Sequence, residues 1–547
     1  MVPAVQIFTA ISLLAFTYCS ARAIYNAYFH PLAKYPGPKL AAMSSLWWVY
    51  ASLSGRYPWI IEKVIKKYGH VVRIGPNQLV FLTPQAAKDI YLAQEKNMEL
   101  FVQVGYDALD TGDGGISGET SPARHREIAK KLAPAFSNRS LKTKEAVIHQ
   151  YLDLFVRRLA EHGGDDGVEL NRWTNWLGLD MAAALTYRAD MGHLREMKDS
   201  PTLTAVLRCN LMVMMSQITR KLPLLLPLQF LCIPPSVLFL FPKLIKIHAQ
   251  NVKHRIETHT ATMASSGTDS RHVDYLDQLL GSNPKQLLHI ENVSSQLLLA
   301  TWQPLTSQFY AIILSLISST KTLDHLTTEI RTTLQTYQSI TLDSVSSLKY
   351  LSASRGNIPI DGLHVPKGTI CQIAYFAAQR HPDYFTDGKE FRPERWLPPT
   401  HPLYDERYKD DDLKVSKPFS QGPRGCPGGA IARGVISLFV AKLLWRFDLE
   451  AVEGKELPDF DKDLRVWGFW ERHVLKPGPI LQPILLLNPL SLIIYPPPPR
   501  QNRCIPITLI SLLMSLFFPC NGIINPLLNI FNTVPVKVFS AVIPAVR

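Results

Sequence analysis

Between residues 419 and 429 the chain reads Phe-Ser-Gln-Gly-Pro-Arg-Gly-Cys-Pro-Gly-Gly, and a helical apolar pattern through Ile431, Val435, Leu438, Ala441 and Trp445 follows at once. A thiol is thereby held in a glycine-rich turn at the entry to a helix. Helix N-terminal amides and the positive end of the helix dipole favour a thiolate there, and Arg424 adds positive charge nearby. Such a sulfur suits a metal that accepts a soft ligand. Glycines at 422, 425 and 428 let the backbone approach a flat, bulky ligand and aim amides at the sulfur. The remaining cysteines, at 19, 209, 232, 371, 504 and 520, form no Cys-x-x-Cys pair and no closely spaced framework. A zinc module or a disulfide scaffold is therefore disfavoured.

The rest of the chain supplies a large setting for that turn. Its 547 residues, 46% hydrophobic and 19% charged, can bury a sizeable core. The net charge of +13 comes from scattered Lys and Arg, which suits an anionic membrane surface or an acidic partner and argues against nucleic acid. From Val2 to Ala23 the only charge is Arg22, the stretch is about long enough to span a bilayer, and no basic leader precedes it. Residues 1–27 read as an uncleaved membrane anchor. Tyr35-Pro36-Gly37-Pro38 forms a stiff hinge after it. A hairpin turns at Gly75-Pro76-Asn77 and a second occupies residues 358–365. Residues 121 to 320 are mainly helical in pattern, with long stretches over 146–161 and 291–317. The apolar segment between Lys221 and Lys243 is broken by prolines and reads either as a kinked core segment or as a surface that dips into lipid. Beyond Glu471 no acidic residue occurs, and residues 486–547 form an apolar, proline-bearing tail outside the catalytic fold.

The cysteine loop resembles the signature of the cytochrome P450 superfamily, Phe-x-x-Gly-x-Arg-x-Cys-x-Gly, at every position: Phe419, Gly422, Arg424, Cys426 and Gly428. The likeness extends through Arg380-His381-Pro382 and Phe391-Arg392-Pro393-Glu394-Arg395-Trp396 upstream of the cysteine. It implies a fold that is mainly α with small β-sheets, an N-terminal transmembrane helix, and a haem-thiolate monooxygenase domain over residues 28–485. It also makes Cys426 the axial ligand of the iron of haem b and pairs Arg424 with a haem propionate. His125 and Lys130, on a segment similar to the family helix that crosses a propionate, are further candidates for haem binding. The resemblance further implies O2 and a lipophilic small molecule as substrates. Electrons would come from a separate NADPH-dependent reductase, since no flavin or nicotinamide module is visible. Anchored relatives sit in the endoplasmic reticulum membrane with the catalytic domain facing the cytosol. Anchor and hinge look most similar to those of filamentous-fungal members that act on secondary metabolites such as terpenoids or polyketides.

Two departures from the family pattern set further expectations. The central helix reads Ala300-Thr301-Trp302-Gln303-Pro304-Leu305, so Gln303 and Pro304 stand where the proton-delivering acid and threonine are common. Thr301, Gln303, Thr306 and Ser307 are the candidates left to handle a proton, and Pro304 is expected to open the helix. The family's Glu-x-x-Arg helix is missing after Ala353, which is expected to leave Arg395 without its ion partner, a costly state in a buried setting. Together with the acid-free tail this points to a coding region that has lost or misread a segment. Two rivals to oxygen insertion follow: haem binding without turnover, and haem-thiolate isomerisation.

Overall fold

The computed structural model describes residues 2–92, 94–95, 98–99, 114–163, 168–200, 203–204, 207, 210–227, 248–261, 274–280, 287–352, 369–450, 457–467, 470–471 and 482–485. The expected second hairpin at 358–365, most of the apolar segment to residue 243, and the tail over 486–547 lie outside the described residues.

Helix Val2–Ile24 is mostly apolar with Arg22 in its last turn, and its large apolar side chains from Val5 to Ile24 are exposed rather than packed on the body of the protein. By length and composition the stretch Val5–Phe29 can cross a bilayer. The proline hinge after it is docked onto the first strand. Arg73 donates its backbone N–H to the Pro36 carbonyl at 2.7 Å, and a side chain at Gly37 would start 2.2 Å from the Arg73 carbonyl oxygen. The buried Arg73 guanidinium also holds the carbonyls of Asn26 and Pro76, at 2.7 and 2.6 Å. The base of the N-terminal helix is thus tied to the sheet by one arginine.

The sheet itself is small. Strand β1 (Val71–Gly75) pairs antiparallel with β2 (Gln78–Phe81) through the expected Gly75-Pro76-Asn77 turn, with Val72 opposite Val80. Strand β3 (Ile370–Ile373) then adds to β2 in parallel, bringing residues nearly three hundred positions downstream beside the N-terminal hairpin. Apolar side chains on both faces bury β1 and β2 almost completely, as the unbroken Val-Val and Leu-Val-Phe runs require.

Helices make up the main body, as a mainly α fold with small sheets demands. At its centre runs helix Leu287–Ile317, packed along helix Leu170–Tyr187 and crossed by helix Gly429–Arg446, which begins at the cysteine loop. The second of these is buried at all but one of its positions, because it lies sandwiched between the central helix and helix Asn138–His162. Phe309 of the central helix stacks on Phe439 of the cysteine helix at 4.2 Å, and Phe155 packs on the same ring at 5.7 Å. These contacts fix where the cysteine helix starts, and so where its thiol stands.

Pro304 does not open the central helix, contrary to expectation: the helix runs unbroken from Leu287 to Ile317. The carbonyl that loses its donor belongs to Ala300, and Ala300 and Pro304 share the exposed face of the helix. The penalty therefore falls on a carbonyl at the surface of the packing and not on a buried one. On the opposite face Gly178 lets the two helices meet. A Cβ there would lie 2.1 Å from Thr306 Oγ1 and 3.2 Å from the Trp302 ring.

Gly178→Ala is expected to destabilise the protein by about 1–3 kcal/mol through overpacking. Combining it with Thr306→Ala, which removes the clashing hydroxyl, should recover part of that loss, so the two changes will not add. Denaturant unfolding of the single and double variants measures both.

Candidate functional site

The turn before the cysteine is built from backbone constraints. Ser420 and Gly422 adopt φ of 57° and 75°, in the left-handed region. At Gly422 any Cβ would sit 1.9 Å from the Tyr91 carbonyl oxygen, so only glycine fits for two independent reasons. Gly425 donates its N–H to the Gly422 carbonyl at 2.9 Å, and Cys426 donates its own to the Phe419 carbonyl at 2.8 Å. The loop is closed on itself before helix Gly429–Arg446 begins. Arg433, one turn into that helix, lays its guanidinium over the Phe419 ring at 5.1 Å.

Cys426 is exposed on one side, yet protein crowds its sulfur enough that burial pushes the thiol above the ordinary cysteine value. The Gly428 N–H and the Arg433 charge pull the other way and are outweighed. The positive charge acting on the sulfur is thus that of Arg433, where the sequence pointed to Arg424. Arg424 instead donates Nη1 to the Glu119 carbonyl at 2.6 Å. Glu119 pairs with Arg124 at 3.0 Å and accepts the Ser121 N–H at 2.7 Å. By this route Arg424 ties the cysteine loop to the start of helix Pro122–Leu132, the element that carries His125 and Lys130.

Those two residues do not share a face. His125 is buried with Ile128 and Leu132, whereas Lys130 is exposed on the outside of the helix. Further along, Phe136 lies close to the Gly428 shoulder of the loop. A Cβ placed on Gly428 would lie 3.8 Å from Cys426 Sγ and 4.0 Å from the Phe136 ring. Both are ordinary contact distances, so glycine at 428 leaves the shoulder of the sulfur bare where a larger residue would cover it. A soft sulfur donor with a glycine on its shoulder and an aromatic ring beside it fits an iron porphyrin bound through Cys426.

A residue without any sequence signal extends this arrangement. Tyr275 stacks on Phe136 at 5.0 Å with an interplanar angle of 22°, is fully buried, and shares a side-chain hydrogen bond with Thr301 of the central helix. Burial is the main cause that pushes its phenol above the usual tyrosine value, and the nearby Cys426 adds to the shift. Its position is fixed by buried ion pairs on either side. Asp274 pairs with Arg188 at 2.8 Å and with Arg255 at 2.7 Å, and Asp277 pairs with Arg188 at 2.7 Å. The central helix and the cysteine loop are thus connected through Phe136, Tyr275 and Thr301. Nothing in the local sequence around Tyr275 singles it out, because its place is set by Arg188 and Arg255 from distant parts of the chain.

The remaining central-helix candidates are spread around its circumference. Thr306 is fully buried, donates its hydroxyl to the Trp302 carbonyl at 2.8 Å, and faces Gly178. Gln303 is buried as well. Thr301 and Ser307 are half-buried beside the exposed strip of Ala300, Pro304 and Gln308. Of the hydroxyls considered, the structure links Thr301 to the cysteine side.

Arg395 corrects an expectation. It is buried but not partnerless: its guanidinium pairs with Asp411, donates to the Thr386 and Asp387 carbonyls at 2.8 and 3.3 Å, and lies over the Tyr408 ring at 4.6 Å. Asp411 in turn accepts the Thr386 N–H at 2.7 Å. The loop after β3 supplies two carbonyls and the segment after Tyr408 supplies the Asp411 carboxylate, together giving what a helix-borne acid was expected to supply. Beside it Tyr350 donates its hydroxyl to Glu394 Oε1 at 2.8 Å, while Glu394 Oε2 has no hydrogen-bond partner among the described residues.

Comparison with known proteins bears on this site. A family model described as Cytochrome P450 matches residues 36–354 and 356–472, so the match breaks at Arg355, just after the point where the Glu-x-x-Arg helix is missing. The chain is 39% identical to the cytochrome P450 monooxygenase TwmD of Talaromyces wortmannii, over 86% of this chain and 95% of the relative. Identity is 32% to the cytochrome P450 monooxygenase poxC of Penicillium oxalicum, covering 85% and 92%. For btcC of Colletotrichum orbiculare, also a cytochrome P450 monooxygenase, it is 30%, with the same coverage.

Two outcomes follow from the geometry. Arg395→Ala should destabilise the protein by about 3–5 kcal/mol, because it strands the buried Asp411 carboxylate, and equilibrium unfolding measures the loss. The raised thiol value means that iron ligation must release a proton. Below that value the apparent haem affinity of the apoprotein should rise about tenfold per pH unit, and should level off once the thiol ionises unaided. Haem titration between pH 6 and 8 reads the slope.

Proposed function

The chain belongs to the cytochrome P450 family and is a monooxygenase, and on that premise we propose that it inserts one oxygen atom from O2 into a lipophilic small molecule of fungal secondary metabolism, of terpenoid or polyketide type. The observation that carries this reading is the intact cysteine loop, closed by the Cys426 N–H on the Phe419 carbonyl, with Cys426 left exposed just before helix Gly429–Arg446. Haem b held through Cys426 supplies the oxygen chemistry, with electrons from an NADPH-dependent reductase on another chain.

The protein's own side chains have narrower tasks. Phe419, Gly422 and Gly425 present the sulfur, and the Gly428 N–H with the Arg433 charge moderates its electron donation. Arg424 holds the loop against the helix of His125, which makes both residues the candidates to face a propionate, with Lys130 reaching it only from outside. Thr301, hydrogen-bonded to Tyr275, is the hydroxyl best placed to hold a proton near the cysteine side. Ser307 stands further along the same helix.

The exposed apolar N-terminal helix supports a single-pass anchor in the endoplasmic reticulum membrane, with the catalytic body on the cytosolic side. Lipid-soluble substrates suit that placement. The fungal relatives support secondary metabolism as the setting. Gln303 and Pro304 in place of an acid and a threonine favour a second reading, haem binding without turnover or isomerisation of an oxygenated substrate.

Labelled oxygen separates these readings. Membranes holding the full chain and a fungal reductase, supplied with NADPH, 18O2 and a panel of terpenoid and polyketide scaffolds, should give products carrying one 18O atom, and Cys426→Ala should abolish them. A haem-loaded chain that rearranges a substrate without incorporating label would establish the isomerase reading, and one that does neither would leave haem binding alone.

A further inference from the structure

We propose that His70, His381 and Asp383 bind one divalent transition-metal ion of the zinc or copper type, at a surface site separate from the cysteine loop. His70 is the residue before β1, and His381 and Asp383 flank Pro382 in the loop that follows β3 and the short helix Tyr375–Ala378. Pairing of β3 onto β2 brings these distant parts of the chain together.

The donor atoms are already nearly in place. His70 Nε2 lies 2.9 Å from Asp383 Oδ2, His381 Nδ1 lies 3.5 Å from the same oxygen, and all three ligand atoms fall within 4.8 Å of one another. Tetrahedral zinc with bonds of about 2.1 Å requires ligand atoms about 3.4 Å apart, so shifts of well under an ångström between neighbours, and somewhat more for the two imidazoles, would close the site. The imidazole rings stand edge to face at 5.5 Å and an interplanar angle of 88°, so they are not stacked flat against each other.

The chemistry is selective as well. Two imidazole nitrogens and one carboxylate oxygen suit zinc, copper or nickel and suit calcium or magnesium poorly. The nearest lysine on the adjoining helix, Lys66, is paired with Glu62 at 2.9 Å, so its charge is largely offset. His70 and Asp383 are about half exposed, which leaves a way in for the ion and room for a water ligand, while His381 is held mostly under the surface. Among the described residues two hydrogen bonds compete with the ion: His70 Nε2 with Asp383 Oδ2 at 2.9 Å, which the metal would replace, and the Asp383 N–H to His381 Nδ1 at 3.3 Å, near the long limit for such a bond.

An ion there would do more than decorate the surface. The same loop continues into Phe385, Thr386 and Asp387, the residues that enclose Arg395. Joining His70 to Asp383 would staple the start of β1 to that loop and stiffen the enclosure of Arg395.

The test uses the haem-loaded full chain and zinc ions alone. Equilibrium dialysis against low micromolar zinc, followed by metal analysis, should show a tight site holding about one ion per chain, and His70→Gln and Asp383→Asn should each weaken it at least tenfold, as loss of even an outer partner of a metal ligand can do. Both replacements are close in shape and sit at exposed positions, and an unchanged circular dichroism spectrum and haem content will show that the variants fold. Zinc should also raise the melting temperature of the parent and not of the variants. Zinc uptake that is equal in parent and variants, or absent in the parent, overturns the proposal and leaves the haem-thiolate reading untouched.

Discussion

Everything at the site depends on a backbone constraint, the left-handed turn at Gly422 pressed against the Tyr91 carbonyl. No residue with a Cβ can take that position, and without it the Phe419 carbonyl could not accept the Cys426 N–H and close the loop. The loop then hands the chain to helix Gly429–Arg446 with the sulfur on the near side of Gly428. Packing of Phe439 between Phe309 and Phe155 sets the helix, and so the sulfur, relative to the central helix. The electrostatics come last: crowding raises the thiol, and one amide and Arg433 only moderate it. A bound metal ion is what such a thiol needs to become a thiolate.

The second organising element is Arg395. A buried guanidinium tolerates no empty side, and in this chain two segments surround it, Phe385–Asp387 with two carbonyls and a ring face, and Tyr408–Asp411 with a second ring face and the Asp411 carboxylate. The lost Glu-x-x-Arg helix therefore does not leave a naked charge in the core. Glu394 beside Arg395 holds Tyr350 with one oxygen, and among the described residues its other oxygen has no partner. Haem binding needs the cysteine loop, and that loop does not lean on the missing segment.

Local rules made part of this legible in the sequence. The turn at Gly75-Pro76-Asn77, the long helices and the cysteine loop each rest on neighbours in the chain, so period and turn chemistry sufficed to find them. The apolar N-terminal helix was equally plain. What escaped depends on distant residues meeting. Tyr275 is placed by aspartates that pair with Arg188 and Arg255, Asp411 reaches Arg395 across a loop, and Arg433 replaces Arg424 as the charge near the sulfur. Pro304 was misjudged for a related reason: its cost depends on which way the freed Ala300 carbonyl faces, and the sequence does not say.

This chain lacks the family's Glu-x-x-Arg helix and should still bind haem through a Cys426 thiolate. The carbon monoxide difference spectrum of the dithionite-reduced full chain in membranes tests it most directly. A Cys426 thiolate should give the long-wavelength Soret band of a thiolate-ligated ferrous haem. A band at the shorter wavelength of a neutral ligand, or no haem-derived band at all, would contradict it.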